Sequence, residues 1–439
     1  MAQETPGLPQ EKKEQNIISQ LLRFLSSMQL GIILILLLAF ISIFATLGEQ
    51  ETAVQKVYRS WWYLGIMAFT ALNLLLCTLR RFRPIMHLTF QPQKNKTASA
   101  ISKLKVKRVL NLQAKDEAAA LAKVKETLAQ NGFKVSQVTG TEGSTVFAER
   151  SAWGYLGSLI THASLLIILL GAMYGALTGF EEKNGGIAGD NFQVKSGGFD
   201  VAITAVRMEQ EKDPTVRPRV FSDVRITKDG KEIAKGTVSI NQPLRFAGNT
   251  IYHTSFRYVS DVTITSVQDG EKHEVQLWDH GQVRLDDEGT ILHLMQFFPN
   301  FTMNADGIPY SKNYLPERPV LAGLLIENGR AVRNVFLQLN KPEVIKTAEG
   351  ELELLLTGFQ HAAIYSITRN LGRPILFSGA VLLIIGLYLS FFLNPRRFWV
   401  KYDQENAALF IGGHSPRHKL FLEQELERLE SEIMSREGE

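Results

Sequence analysis

Apolar residues along this chain are gathered into four runs without Asp, Glu, Lys or Arg, at 24–48, 60–79, 151–180 and 374–394. Each reaches the roughly 20 residues a helix needs to cross ~30 Å of hydrocarbon, so each predicts a transmembrane helix. Between the second and third runs, residues 80–150 predict a small α+β unit. Leu104, Val106, Leu110 and Leu112 alternate as in a strand, Asp116 is placed to cap a helix carrying Leu121, Val124 and Leu128 on one face, and Gly132 ends it. Two short strands near 133–138 and 145–148 complete that unit. Residues 181–373 have a different texture. Short β-rich runs at 200–206, 220–227, 250–256 and 262–267 are punctuated by Asp229-Gly230, Asp269-Gly270 and Asn328-Gly329, which are hairpin turn signals. An all-β, sandwich-like domain is expected there, with an irregular stretch over 299–319. After the fourth run, 398–411 reads as a hairpin. Leu422, Leu426, Leu429 and Ile433 then fall at helical spacing, an amphipathic helix for its own domain or a partner.

Residues 1–23 read as a tail ahead of a retained helix, because the first apolar run starts too late and runs too long for a cleavable signal. The expected fold is therefore a membrane protein with four transmembrane α-helices, a large extracytoplasmic all-β domain and a small cytoplasmic α+β insert. The orientation comes from charge. Arg80, Arg81, Arg83, Lys94, Lys96, Lys103, Lys105, Lys107 and Arg108 follow the second run with no acidic residue among them, whereas Glu181 and Glu182 follow the third. By the positive-inside rule, 80–150 and both termini are cytoplasmic, and 181–373 lies outside. The net charge of +4 is modest, and its basic residues cluster beside apolar runs, which argues against nucleic-acid binding. Cys77 is the single cysteine and lies inside an apolar run. It excludes an internal disulfide, a CxxC pair and a cysteine zinc site, so any thiol chemistry must be supplied by another protein.

The candidate chemistry concentrates on His162, the one histidine in any of the four runs. A titratable side chain in hydrocarbon is costly enough to mark function. Counting from Trp153 and Tyr155 places it roughly 10–14 Å into the bilayer. Two readings stay open: a metal or haem ligand, or a hydrogen-bonding residue holding neighbouring helices together. With no second histidine in a span, a self-contained cytochrome b is disfavoured, and a second histidine ligand must come from another polypeptide. His361, shortly before the fourth run and expected close to the external membrane face, is a further candidate for haem handling. His87, His414 and His418 are expected in the cytoplasm. His253, His273, His280 and His293 are scattered without metal-ligand spacing. Nucleotide-loop, HExxH and hydrolase-elbow motifs do not occur.

Several strings in order along these spans resemble the ResB family, also called CcsB, of System II cytochrome c biogenesis. The first span and its exit, Leu38 through Gly48-Glu49-Gln50, are similar to the family's first helix and turn. His162 followed by Leu169-Leu170-Gly171-Ala172 resembles its histidine-bearing helix. Asn241-Gln242-Pro243-Leu244, Ile251-Tyr252-His253-Thr254-Ser255-Phe256, Arg369-Asn370-Leu371-Gly372-Arg373-Pro374 and Arg396-Arg397-Phe398-Trp399-Val400 follow the same family pattern. In place of the family's usual residues stand Glu49 for proline, His253 for glutamine, and Asn370 and Leu371 for Asp and Pro. The Trp61-Trp62 pair resembles a WWD loop, but Tyr63 follows in place of an acidic residue and the pair abuts a span, which favours an aromatic belt.

The resemblance implies a multi-pass protein of the bacterial inner membrane, working in a complex with a CcsA/ResC-type haem-handling partner. That complex carries haem b across the membrane, keeps its iron reduced and attaches its vinyl groups to the CxxCH cysteines of apocytochrome c, which thiol-reducing proteins keep ready. Alone the chain is non-catalytic, or it forms part of a haem lyase. His162 is then the transmembrane axial ligand of the haem iron, paired with a partner histidine. The competing reading is a membrane scaffold or sensor whose β domain binds an external ligand.

Overall fold

A computed structural model describes residues 17–47, 54–111, 116–140, 143–403 and 408–435. The chain divides into two compact units, one comprising 1–177 with 372–439 and the other 178–371. Four helices in the first unit are long and apolar enough to cross a membrane. They are α2 (Met28–Leu47), α3 (Trp61–Phe90), α5 (Gly157–Thr178, entered through a 3-10 turn, Ala152–Leu156) and α6 (Arg373–Phe391).

Two helix boundaries depart from the apolar runs. The first run splits into a short helix α1 (Ile17–Leu25) and α2, with the break at Ser26-Ser27. The expected tail over 1–23 therefore ends in helix from Ile17, and its first 16 residues lie outside the described residues, as does the Gly48-Glu49-Gln50 exit. Helix α3 continues to Phe90, well past Leu79, carrying Arg80, Arg81, Arg83 and His87 and tolerating Pro84. The apolar run reports the depth of hydrocarbon, whereas the helix continues into polar surroundings as long as its backbone bonds hold.

Small residues bring α5 and α6 together. Gly372, Gly379 and Gly386 recur every seventh residue on α6 and its lead-in, opposite Gly157, Ser164 and Gly171 at the same interval on α5. A Cβ at Gly372 would stand 2.0 Å from the Gly171 carbonyl oxygen, and one at Gly379 2.7 Å from Ile168 Cγ1. Such close backbone approach is how helices associate where burial of apolar surface between them gains nothing. Helix α3 packs on α2 instead. Leu38, Tyr63 and Met67 are buried there with Leu169 and Met173 of α5 against them, and the Tyr63 hydroxyl lies 3.0 Å from Ser42 Oγ. Trp61 and Trp62 point outward while Tyr63 is buried, so only the two tryptophans fit an aromatic belt.

The polar part of the first unit is an antiparallel sheet built from β1 (Val106–Asn111), β2 (Lys134–Gly140), β3 (Gly143–Arg150) and the C-terminal strands β20 (Arg396–Asp403) and β21 (Ala408–His414). Its order is β1-β21-β20-β3-β2. The sequence reading kept 80–150 and 395–439 apart, but here the C-terminal hairpin supplies the inner strands of the insert's own sheet. Helices α4 (Glu117–Gln130), capped by Asp116, and α7 (Lys419–Ser435) cover one face. Leu121, Val124 and Leu128 meet Leu422, Leu426, Leu429 and Ile433 over Val146, Phe398 and Val400. The amphipathic helix thus packs on its own domain.

The second unit is all-β among its described strands. The runs expected separately at 250–256 and 262–267 are one strand, β10 (Asn249–Ser266), paired along its length with β19 (Gly350–Arg369) and bent at bulges near Ser255 and Asp261. Polar residues on its exposed face interrupt the apolar pattern without interrupting the ladder. β4 (Phe180–Gly186) and β9 (Leu244–Phe246) extend this sheet at one end, and β11 (Lys272–Trp278) and β18 (Pro342–Thr347) at the other.

Two four-stranded sheets pack on this ribbon. One holds β5 (Asn191–Val194), β6 (Phe199–Glu209), β7 (Arg219–Lys228) and β8 (Lys231–Val238), and buries Val201, Val224 and Ile226 against Ile251, Tyr365 and Ile367. The other holds β12 (Gln282–Arg284), β13 (Ile291–Phe298), β16 (Val320–Glu327) and β17 (Arg330–Gln338), and buries Leu294, Phe297 and Leu321 against Tyr258, Val262 and Leu354. The expected sandwich is therefore two sandwiches sharing one long ribbon. Asp229-Gly230 and Asn328-Gly329 have positive φ at both residues, the geometry two-residue hairpin turns demand. Within the irregular stretch, β14 (Phe301–Met303) pairs with β15 (Pro309–Ser311), and an isolated bridge joins Asn300 to Arg318.

Candidate functional site

His162 sits in the second turn of α5. The face containing Gly157, Thr161, Ser164 and Gly171 is occupied by α6, and His162, one residue on from Thr161, turns toward α3. There it lines a narrow crevice, with no room for a water molecule, together with Ser158 and Leu159 of its own helix and Thr78, Arg81 and Ile85 of α3. The imidazole is half-buried and forms no hydrogen bond among the described residues. A helix-bridging histidine is expected to have one, so the arrangement leaves the ring nitrogens free.

The crevice also bears on what this chain can hold. Pockets that enclose a ligand of drug size measure roughly 300–1,000 Å³, whereas this crevice holds no space even for water. The crevice alone therefore cannot enclose a large ligand. No group of three or more His, Cys, Asp or Glu able to hold a metal ion occurs among the described residues.

His361 lies mid-strand in β19, opposite Tyr258 and eight residues from the strand's end at Arg369, roughly 26 Å of extended chain. Its ring meets Tyr258, Phe359 and Phe256 at centroid distances of 5.1, 5.9 and 6.3 Å. Burial among these aromatics lowers its pKa to about 4 and holds it neutral. His361 and His162 belong to different units. His253 is buried near Tyr365 with its Nδ1 unbonded, and burial followed by the Arg217 charge lowers its pKa.

Two residues escaped the sequence reading. Asn73 is 3% exposed in the second span, and its amide donates to the carbonyls of Leu25 (2.6 Å) and Ser27 (3.2 Å), satisfying the helix break between α1 and α2. Cys77 donates to the Ser26 carbonyl beside it. Arg81 read as one of a row of topology-setting cations, yet it borders the His162 crevice. An uncharged amide within a span and a particular arginine within a basic row carry no signal of their own in sequence.

Four apolar helices and a large β-rich region define a multi-pass membrane protein. Residues 53–427 match the model of the ResB-like family, and the chain belongs to that family. It is similar to the cytochrome c biogenesis protein CcsB of Microcystis aeruginosa (strain NIES-843 / IAM M-2473), with 27% identity covering 92% of each chain. The CcsB of Prochlorococcus marinus (strain MIT 9313) is 26% identical over 82% of this chain and 79% of that relative. Among solved structures, the cytochrome c haem lyase CcmF aligns over 76% of this chain and 40% of its own at 12% identity. Its TM-score of 0.25 supports no inference about fold.

Proposed function

We propose that this chain is the CcsB-type subunit of a cytochrome c synthase complex, and that His162 is an axial ligand to haem b in transit through the membrane. The observation that carries this reading is an imidazole without a hydrogen bond among the described residues, on an apolar helix and half-buried toward α3. Haem, when bound, supplies the vinyl groups that become thioether-linked to the cysteines of apocytochrome c. His162 would supply a ring nitrogen to the iron, and the crevice wall of Thr78, Ile85 and Leu159 would limit water around it. The small crevice favours a second polypeptide, a CcsA/ResC-type partner contributing the opposite ligand. The basic row from Arg80 to Arg108 favours a cytoplasmic location for the five-stranded unit, an extracytoplasmic one for 178–371 and a bacterial inner-membrane setting. In that orientation the double sandwich faces apocytochrome c and its thiol reductants. His361, neutral at pH 7, is a subsidiary haem-handling candidate within it.

The test is co-expression with a CcsA-type partner, followed by purification and absorption spectroscopy. His162→Ala should insert and assemble while losing the b-type Soret band and cytochrome c maturation, with part of both restored by added imidazole. His162→Gln keeps a hydrogen-bonding side chain but is a poor haem ligand, so it should fail like Ala. Full haem content in an assembled His162→Ala complex refutes the assignment.

A further inference from the structure

The break between α1 and α2 faces α3 across a cleft of about 450 Å³, whose polar lining comes from Ser26 and Ser27 on one side and Arg80 and Arg81 on the other. An adjoining groove of about 310 Å³ adds Arg23 to Arg80. Three guanidinium groups therefore converge where α2 opens, at the positive end of its dipole. Among the described residues, no carboxylate lies within ion-pair distance of Arg23, Arg80 or Arg81; the ion pairs of this unit lie elsewhere, at Arg108, Arg150, Arg396, Arg397, Lys419 and Arg428. The contacts these arginines do make are weak and neutral: Arg80 Nη1 to Ser26 Oγ at 3.4 Å and Arg81 Nη2 to Met28 Sδ at 3.8 Å.

The surroundings are amphiphilic. Leu22, Phe24, Met28 and Leu79 stand exposed around the arginines, and Arg80 follows directly on the apolar run of the second span. An apolar rim around uncompensated guanidinium forks suits an oxyanion attached to an apolar body, because Arg binds phosphate and carboxylate oxygens in pairs. Arg81 and Ile85 line this cleft and the His162 crevice alike, so the two spaces share a wall.

We propose that the cleft between the α1–α2 break and α3 binds the oxyanion of a membrane amphiphile through Arg80 and Arg81. Two sources present that chemistry: the phosphate of an anionic phospholipid, and the propionates of haem. The second source rests on the reading of His162 as a haem ligand; the first does not.

The experiment uses the full chain co-purified with its CcsA-type partner, as wild type, Arg80→Gln/Arg81→Gln and Arg83→Gln. Arg83 is exposed on the same stretch but does not line the cleft, so its variant controls for the loss of positive charge that sets topology. In the first arm, phosphatidylglycerol and phosphatidylcholine are titrated and bound lipid is counted by native mass spectrometry. In the second, haem and haem dimethyl ester, whose propionates are blocked, are titrated by absorbance. A phospholipid site gives a preference for phosphatidylglycerol that falls about tenfold in the double variant and persists in Arg83→Gln. A propionate site gives a preference for haem over its ester with the same dependence.

Wild-type complex showing neither preference, or an assembled double variant that keeps whichever preference the wild type shows, overturns the proposal. If the double variant does not assemble, Arg80→Lys/Arg81→Lys preserves charge while removing the forked geometry. It should weaken the same preference severalfold, and no change overturns the proposal. His162→Ala separates the two readings. It leaves the phosphatidylglycerol arm unaltered, and a haem-binding failure confined to that variant concerns the axial ligand alone.

Discussion

Replacing Gly386 with Ala adds one methyl group at a close contact between α6 and α5. The new Cβ would stand 2.7 Å from both the backbone nitrogen and Oγ1 of Thr161, where ordinary contact begins at 3.4 Å. The helices must separate by roughly 0.7 Å, and overpacking of this kind costs about 1–3 kcal/mol. Alanine recovers about 1 kcal/mol of helix propensity, so the net loss is up to about 2 kcal/mol. Gly65 in α3 is the internal control. A Cβ there meets nothing within 4 Å, and Gly65→Ala should instead stabilise by about 0.5–1 kcal/mol. Unfolding of the detergent-purified protein, followed by far-ultraviolet circular dichroism, should shift the midpoint down for Gly386→Ala and level or up for Gly65→Ala. Because Thr161 precedes His162, the first variant should also lower haem occupancy of the complex while the second leaves it unchanged. A Gly386→Ala protein that gains as much stability as Gly65→Ala would show that the seam is looser than the contact implies, and the argument fails.

Two other outcomes follow from buried polar groups. Asn73→Leu leaves the Leu25 carbonyl without its donor and the Ser27 carbonyl with the Gly31 N–H alone, and should cost about 1–2 kcal/mol, seen as faster hydrogen exchange over 17–25; unchanged exchange there contradicts the role assigned to Asn73. For His361 the folded pKa of about 4 lies below the unfolded value of ~6.5, so the unfolded chain takes up its proton first as pH falls. Stability from this group is present above pH ~6.5 and is lost on acidification toward 4, by up to about 2 kcal/mol between pH 7 and 5. His361→Phe, which suits its aromatic neighbours, should flatten that part of the pH dependence of unfolding measured by intrinsic fluorescence, and a slope identical to wild type contradicts the burial argument.

The spans were legible because charge is absent from 24–48, 60–79, 151–180 and 374–394, and His162 stood out for being ionisable in such a run. The extension of α3 to Phe90 was not legible, since hydropathy measures the solvent a segment prefers and not where its helix stops. The continuity of β10 was hidden by residues such as Arg257 and Asp261, whose polarity reads as a break. The pairing of β20 with β3 joins segments far apart in the chain, a long-range contact no local pattern encodes. The seven-residue recurrence of glycine on α6 was present in the sequence, but it becomes a contact only once the partner helix is known.

That long-range pairing has a consequence at His162. β3 ends at Arg150 and the chain passes through Ser151, with φ of 58°, into the turn that starts α5, while α6 runs on through a short connection into β20. Arg150 and Arg396 are direct partners in the ladder, so the ends of α5 and α6 are fixed on neighbouring strands. α3 is tied to the same place. Arg397, 2% exposed, pairs with Glu149 at 3.2 Å and donates to the Leu88 carbonyl at 2.6 Å, and Phe90 meets Trp153 edge-on at 5.8 Å. Arg81 precedes Phe90 by nine residues and His162 follows Trp153 by nine. Two antiparallel helices rising equally from one contact, each by roughly 13 Å, bring those residues to the same level, where they line one crevice. The meeting of Arg81 with His162 is therefore a matter of register imposed by the five-stranded sheet, and the C-terminal hairpin that completes the sheet also sets the site.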